Sequence, residues 1–151
     1  RSRKKAVTTG AWGLEGVAPP ASLHPVRGQM LALELEEPWA GPMLQGEWGY
    51  LIARTPTRVV LGATVEDVGF DASTTENGRR EILECSQDIL APLGRFRVTQ
   101  QWAGLRPRIG AGAEPYIGEV QENVAVALGL FRLGITTAPA VAEHLVAWAE
   151  S

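Results

Sequence analysis

The sequence predicts an α+β fold, a mostly antiparallel β-sheet with two main helices. Three observations carry that expectation. Several stretches alternate apolar and polar residues with period two and are separated by Gly/Pro-rich turns. Apolar residues at helical spacing occur around Ile82–Leu90 and again around Val141–Trp148. The two kinds of segment do not alternate regularly, so a doubly wound parallel sheet is not expected.

Taken in order, Lys5-Ala-Val-Thr-Thr9 reads as a short strand leaving through the turn Gly10-Ala-Trp-Gly13, and Gly13 to Pro25 is a loop by composition. Gly28 to Glu37 reads as a long strand, with Met30 on the face opposite Leu31, Leu33 and Leu35. Glu37 to Glu47 is a Pro/Gly loop. Tyr50–Arg54 and Arg58–Val65 form a hairpin, with Pro56 suited to the first central position of its turn. Ser73-Thr-Thr-Glu76 fits a capping box, so a helix follows, and Ile82, Leu83, Cys85, Ser86, Ile89 and Leu90 give its inward stripe until Pro92. Arg97 to Leu105 is a strand whose alternation puts Val98, Gln100, Trp102, Gly104 and Arg106 on one face. Pro107 lacks a ladder donor and should stop the strand where Arg106 emerges. Asn123–Gly129 is a further strand, and its small face of Ala125, Ala127 and Gly129 invites close packing. Thr136 or Thr137 can cap the last helix, with Pro139 in its first turn and Val141, Leu145 and Trp148 along one side.

A net charge of −3 over 151 residues argues against nucleic acid or an anionic membrane as the main partner. The basic run Arg1-Ser-Arg-Lys-Lys5 reads as a solvated end. With a single cysteine no internal disulfide can form, so a reducing cytoplasm is the simplest setting. The place of Cys85 in an apolar stripe predicts a buried thiol. The longest apolar run, Val124 to Phe131, is far too short for a membrane span. No leader pattern is visible and the chain does not start with methionine, which suggests a piece of a longer protein.

An arginine at a strand end, beside backbone cleared by Gly104, suits a small carboxylate or phosphate. Beyond Pro107 come Pro115-Tyr-Ile-Gly118 and Gly129-Leu-Phe-Arg-Leu-Gly-Ile-Thr136; upstream lie Pro25-Val-Arg-Gly-Gln29 and Val60-Leu-Gly-Ala-Thr64. In this order the segments resemble the FAD-dependent D-amino-acid oxidase family, its glycine oxidase branch above all, from about Val7 to about Trp148. The resemblance implies three parts: residues 1–12 end a strand of the FAD-binding domain, 13–122 form the substrate-binding domain, and 123–151 return as a flavin-facing strand and C-terminal helix. It implies Arg106 as the clamp for the substrate carboxylate. Tyr50 is either a second carboxylate contact or a cross-strand aromatic, and Val65 either lines the pocket or packs in the core. Ala11, Trp12, Arg132, Leu133, Gly134, Ile135 and Thr136 would contact FAD, with Arg132 also near the substrate. The family's polar residues on both sides of that arginine are replaced here by Leu130 and Leu133.

The implied reaction is oxidation of glycine, sarcosine or a small D-amino acid to the imine, with hydride transfer to FAD and release of hydrogen peroxide. No side-chain acid or base is required, so no catalytic residue is named. A related dehydrogenase, or a non-catalytic domain that kept the fold as a binding module, would share the pattern. Gly110-Ala-Gly-Ala-Glu-Pro115 begins like a dinucleotide fingerprint but ends in proline, so no helix opens there. His24 and His144 have no partners at metal-ligand spacing. The resemblance implies a small amino-acid substrate and an N-terminal Rossmann-like FAD-binding half as partners; sheet left open where that half docks could also pair with another copy of the chain in a homo-oligomer.

Overall fold

The computed structural model describes residues 4–13, 15–17, 22–47, 49–110 and 115–151. The Ala111–Glu114 part of the glycine-rich segment, the first three residues of the basic run, and Leu14 and residues 18–21 of the expected loop lie outside them. In order come β1 (Lys5–Val7), a 3-10 turn (Gly10–Trp12), β2 (Leu23–Leu35), β3 (Leu44–Gln45), β4 (Tyr50–Ala53) and β5 (Arg58–Gly62). Then follow α1 (Glu76–Cys85), α2 (Gln87–Leu90), β6 (Phe96–Ile109), β7 (Tyr116–Gln121), β8 (Val124–Leu128) and α3 (Gly134–Glu150). The α+β expectation holds. The chain forms two compact units, residues 27–104, and residues 1–26 with 105–151.

In the unit of residues 27–104, β5 pairs antiparallel with both β4 and β2, within a five-stranded order β3-β4-β5-β2-β6. The hairpin turn closes through Arg54 N–H to the Arg58 carbonyl at 2.8 Å, with Pro56 in the loop as its fixed φ favours. Leu31, Leu33 and Leu35 alternate onto one face of β2 and pack with Leu51, Val59 and Leu61 under Ile82, Ile89, Leu90 and Leu93. Burying a leucine of this kind contributes roughly 1.5–3 kcal/mol.

Several boundaries differ from expectation, each for a local reason. β2 begins at Leu23 rather than Gly28: β5 covers only Met30–Glu34, so Pro25 deprives no β5 partner of a donor. β3 is a two-residue strand inside the expected Pro/Gly loop. β5 stops at Gly62, which leaves Val65 outside the hairpin. The helix cap is Thr75 rather than Ser73: Thr75 Oγ1 accepts from Gly78 N–H at 3.0 Å, while Ser73 N–H is held by Asp71 at 2.8 Å. The helical stripe breaks at Ser86, which is buried, and Cys85 is exposed rather than buried. β6 does not stop at Pro107 but runs to Ile109; it is the edge strand of its sheet, where a missing donor is tolerated.

In the other unit, β1 pairs parallel with β8, and β8 antiparallel with β7. Ile109, Val126 and Leu128 form its buried cluster. α3 starts at Gly134 with Leu133 as its cap position, so neither Thr136 nor Thr137 caps it, and Pro139 lies inside the helix. Thr137 instead turns its hydroxyl back to the Leu133 carbonyl at 2.9 Å. At the far end Lys4 donates to the Trp148 carbonyl at 2.7 Å and sits 5.2 Å from its ring centre, while the Trp148 indole donates to Glu119 at 3.1 Å. That bond, with a second from Asn123 N–H, holds the Glu119 carboxyl below its ordinary value. No helix among the described residues is long and apolar enough to cross a membrane.

Candidate functional site

In the unit of residues 1–26 and 105–151, a cavity of about 420 Å³ opens beside α3. Thr8 and Gly10 after β1, Pro107 of β6, Ala127 of β8, the turn Gly129–Phe131, and Gly134, Ala138, Val141, Ala142 and Leu145 of α3 line it. Thr8 alone among these brings a polar side chain. The helical lining residues recur three and four apart, which turns them to one side. Small residues leave the volume unfilled. At Gly129 a side chain is barred outright, because φ is +75° and a Cβ would lie 2.6 Å from Ile109 Cγ1.

The turn that carries Arg132 is tied to β6 by one backbone bond, Phe131 N–H to the Pro107 carbonyl at 2.9 Å. Phe131 takes a left-handed conformation, φ +46°, and its ring lies 4.2 Å beneath the Arg108 guanidinium. Arg106 and Arg132 thus each stand next in sequence to one partner of that bond. Arg106 is half-buried and Arg132 exposed; neither lines the cavity itself.

Leu133 offers α3 no side-chain cap, and the Gly134, Ile135 and Thr136 N–H groups have no partner among the described residues. Three donors at the positive end of a helix make a local preference for negative charge. Of the other residues expected to meet the flavin, Leu133 and Ile135 are exposed, Ile135 to 95%, as are Thr136 and Trp12, while Ala11 is buried.

Tyr50 and Val65 belong to the unit of residues 27–104. Tyr50 pairs with Gly62, and Gly62 with Met30; across the gap left by that glycine the Tyr50 hydroxyl reaches Met30 Sδ at 3.9 Å. Val65 is half exposed between Thr64 and Glu66. These neighbours belong to a polar cluster that the sequence reading missed. Arg27, only 4% exposed, pairs with Glu66 at 2.6 Å and Asp71 at 2.7 Å. Gln29, fully buried, uses all four of its amide bonds: its oxygen accepts from Thr75 N–H (2.8 Å) and Gln101 (2.9 Å), and its nitrogen donates to Glu66 (2.8 Å) and Thr75 Oγ1 (3.0 Å). Gly78 lies so close that a Cβ there would meet Gln29 Nε2 at 2.1 Å.

Burial works against the Glu66 charge, but hydrogen bonds from Arg27, Thr64 and Gln29 prevail and hold its carboxyl below the ordinary value. Bonds from Ser73, with the nearby Arg27 charge, hold Asp71 down as well, and the bond to Glu66 raises Arg27 further. The signal for this cluster was present: the alternation of Leu35, Leu33 and Leu31, carried back two steps, lands on Gln29 and Arg27. Arg108 had no such signal, because its stacking on Phe131 depends on the turn.

The family described as FAD dependent oxidoreductase matches residues 3–148. The glycine oxidase of Pseudomonas aeruginosa is 30% identical over 145 residues, covering 93% of this chain and 40% of that protein. Among solved structures, glycine oxidase from Bacillus cereus superposes with a TM-score of 0.83 at 26% identity, over 97% of this chain and 42% of that one. Iminodiacetate oxidase from a Chelativorans species superposes with 0.78 at 30% identity, over 93% and 40%. The chain therefore spans about two fifths of the length of these relatives. With sequence match and backbone course agreeing almost from end to end, this chain belongs to the FAD dependent oxidoreductase family.

Proposed function

We propose that these residues supply the substrate-binding portion and the flavin-facing end of an FAD-dependent oxidase acting on glycine, sarcosine or another small D-amino acid. The observation that carries this is the Phe131–Pro107 hydrogen bond, which puts the segments of Arg106 and Arg132 side by side next to an apolar cavity. The glycine oxidase and iminodiacetate oxidase relatives support a substrate bearing an amine next to a carboxylate.

The residues fit the ring portion of FAD. The free amides of Gly134–Thr136 offer donors to an electron-rich edge, and exposed Trp12, Leu133 and Ile135 offer apolar surface to a planar group. Ala11, Arg132 and the peptides of Leu133–Thr136 would hold it. No Gly-x-Gly-x-x-Gly stands in the sequence for the adenosine diphosphate portion. When bound, FAD would supply the hydride acceptor for oxidation of the amine to the imine.

The chain's own part is orientation and charge. Arg106 takes the substrate carboxylate in a two-point pair, and in the unit of residues 27–104 the Tyr50 hydroxyl is the candidate donor. Val65 limits the substrate's side chain. The positive end of α3 stabilises negative charge as it develops on the ring. In this reading residues 1–12 and 123–151 serve the flavin side and 13–122 the substrate side; the pairing of β1 with β8 supports the first grouping.

In the complete protein, Arg106→Ala should raise KM for glycine about 100-fold, the loss of one charged two-point pair. An unchanged KM would remove Arg106 as the carboxylate clamp, and a complete protein without turnover would favour a non-catalytic module. Hydrogen peroxide release separates an oxidase from a dehydrogenase. The 151-residue chain by itself should purify colourless and show no turnover; a flavin spectrum in that material would refute this part.

A further inference from the structure

This inference rests on the reading just given, in which Val65 borders the substrate's side chain. We propose that the Arg27–Glu66–Asp71 cluster, together with Gln29 behind Thr64, is a positioning device for substrate selection, the cluster fixing the backbone after Val65 and Gln29 the backbone before it. Val65 lies in no strand or helix, and a loop residue of this kind is ordinarily among the more mobile in a fold. Here both neighbours are bound. Thr64 N–H donates to the Gln29 carbonyl at 3.3 Å, and Thr64 Oγ1 accepts from Gln29 N–H at 2.8 Å and donates to Glu66. Glu66 exchanges backbone bonds with Arg27 at 2.9 and 2.8 Å, and its carboxylate takes Arg27 Nη2 at 2.6 Å. Arg27 Nη1 then reaches Asp71 at 2.7 Å and the Ser73 carbonyl at 3.1 Å.

The Arg27 guanidinium therefore ties Glu66 to Asp71 and Ser73, Gln29 holds Thr64, and Val65 stands half exposed between two anchored residues. Its branched side chain has few rotamers, so fixing the backbone fixes the wall it makes. Stability is a poor explanation for the arrangement. A buried ion pair is commonly no better than apolar residues of the same volume, whereas the geometry it imposes is specific.

The test uses the complete oxidase and the ratio of kcat/KM for glycine to that for D-valine, with thermal melting followed in parallel. Glu66→Gln keeps the size and removes the charge facing Arg27; it should lower the ratio about tenfold, the scale of one or two methylenes in a pocket, while kcat for glycine changes less than the ratio. Asp71→Asn and Arg27→Lys should shift it the same way by smaller factors. They carry the test if Glu66→Gln does not fold. A loss of stability alone would lower the yield of active protein without moving a ratio measured on one preparation. Unchanged ratios in the folded variants would overturn the proposal. Val65→Ala separates the two levels: if it moves the ratio and the cluster variants do not, the positioning role alone is wrong. If Val65→Ala also leaves the ratio unchanged, the pocket reading fails and the proposal with it.

Discussion

A ten-residue apolar cluster and a fully bonded Gln29 fill the unit of residues 27–104, whereas in the other unit the buried cluster is Ile109, Val126 and Leu128, and among the described residues the donors at the start of α3 have no partner. In the first case the polar groups meet one another: Arg27 finds two carboxylates, and Gln29 finds Glu66, Thr75 and Gln101. In the second, small residues keep a cavity open and apolar side chains such as Ile135 stand in solvent. Exposed apolar surface carries a cost in free energy, and N–H groups at an open helix end are satisfied by water or by a ligand. The turn into α3 brings open N–H donors and exposed Leu133 and Ile135 together, which suits something that binds there, while in the unit of residues 27–104 most buried polar groups meet partners of their own.

The sharpest way to break this contrast is to unsettle the unit of residues 27–104. Glu66→Ala would leave Arg27 with only the outer Asp71 as a counter-charge and cost about 3 kcal/mol, read as a lower urea midpoint. On the other side, Gly129→Ala should cost about 2 kcal/mol, from the left-handed backbone and the clash with Ile109, and thermal melting would register it. Acid should act on the unit of residues 27–104 through its half-buried Glu66 carboxylate. Glu66 has a lowered folded pKa, so its contribution is present in full above the ordinary value of about 4.5 and is lost as pH falls through the folded value. Urea unfolding compared at pH 7 and pH 3 should show that loss in the wild type, and a smaller one in Glu66→Gln. The smallest effect is expected at Ile135: with 95% of it exposed, Ile135→Ser should move stability by less than about 0.5 kcal/mol. In the complete protein, the same change should still weaken FAD retention during dialysis.

The strands and helices were largely legible, because period-two and helical patterns report directly which face is buried. Leu31, Leu33 and Leu35 did so for β2, and Val141, Leu145 and Trp148 for α3. Element ends were not. Pro107 looked like a stop, yet a proline on an edge strand interrupts no pairing; Ser73 looked like a cap, yet Asp71 had already claimed its N–H. Cys85 sat in an apolar stripe, yet the break at Ser86 turned it outward. For the site, the motifs named Arg106 and Arg132 from their neighbours in the chain. Arg27 was quoted within a motif without a role, since nothing in a single strand reveals that two acids from a later loop will meet it.

What the sequence determined by itself is the set of interactions between residues near each other along the chain: the alternation of β2, the turn at Pro56, the stripe of α3 and the empty space at Gly104. What only the tertiary structure decided is everything that joins distant segments, including the Arg27 cluster, the Phe131–Pro107 bond and the stacking of Arg108 on Phe131. The physical reason is that backbone preference and hydrophobic period act locally, whereas a buried charge or an unpaired donor is answered by whichever group the fold brings within about 3 Å.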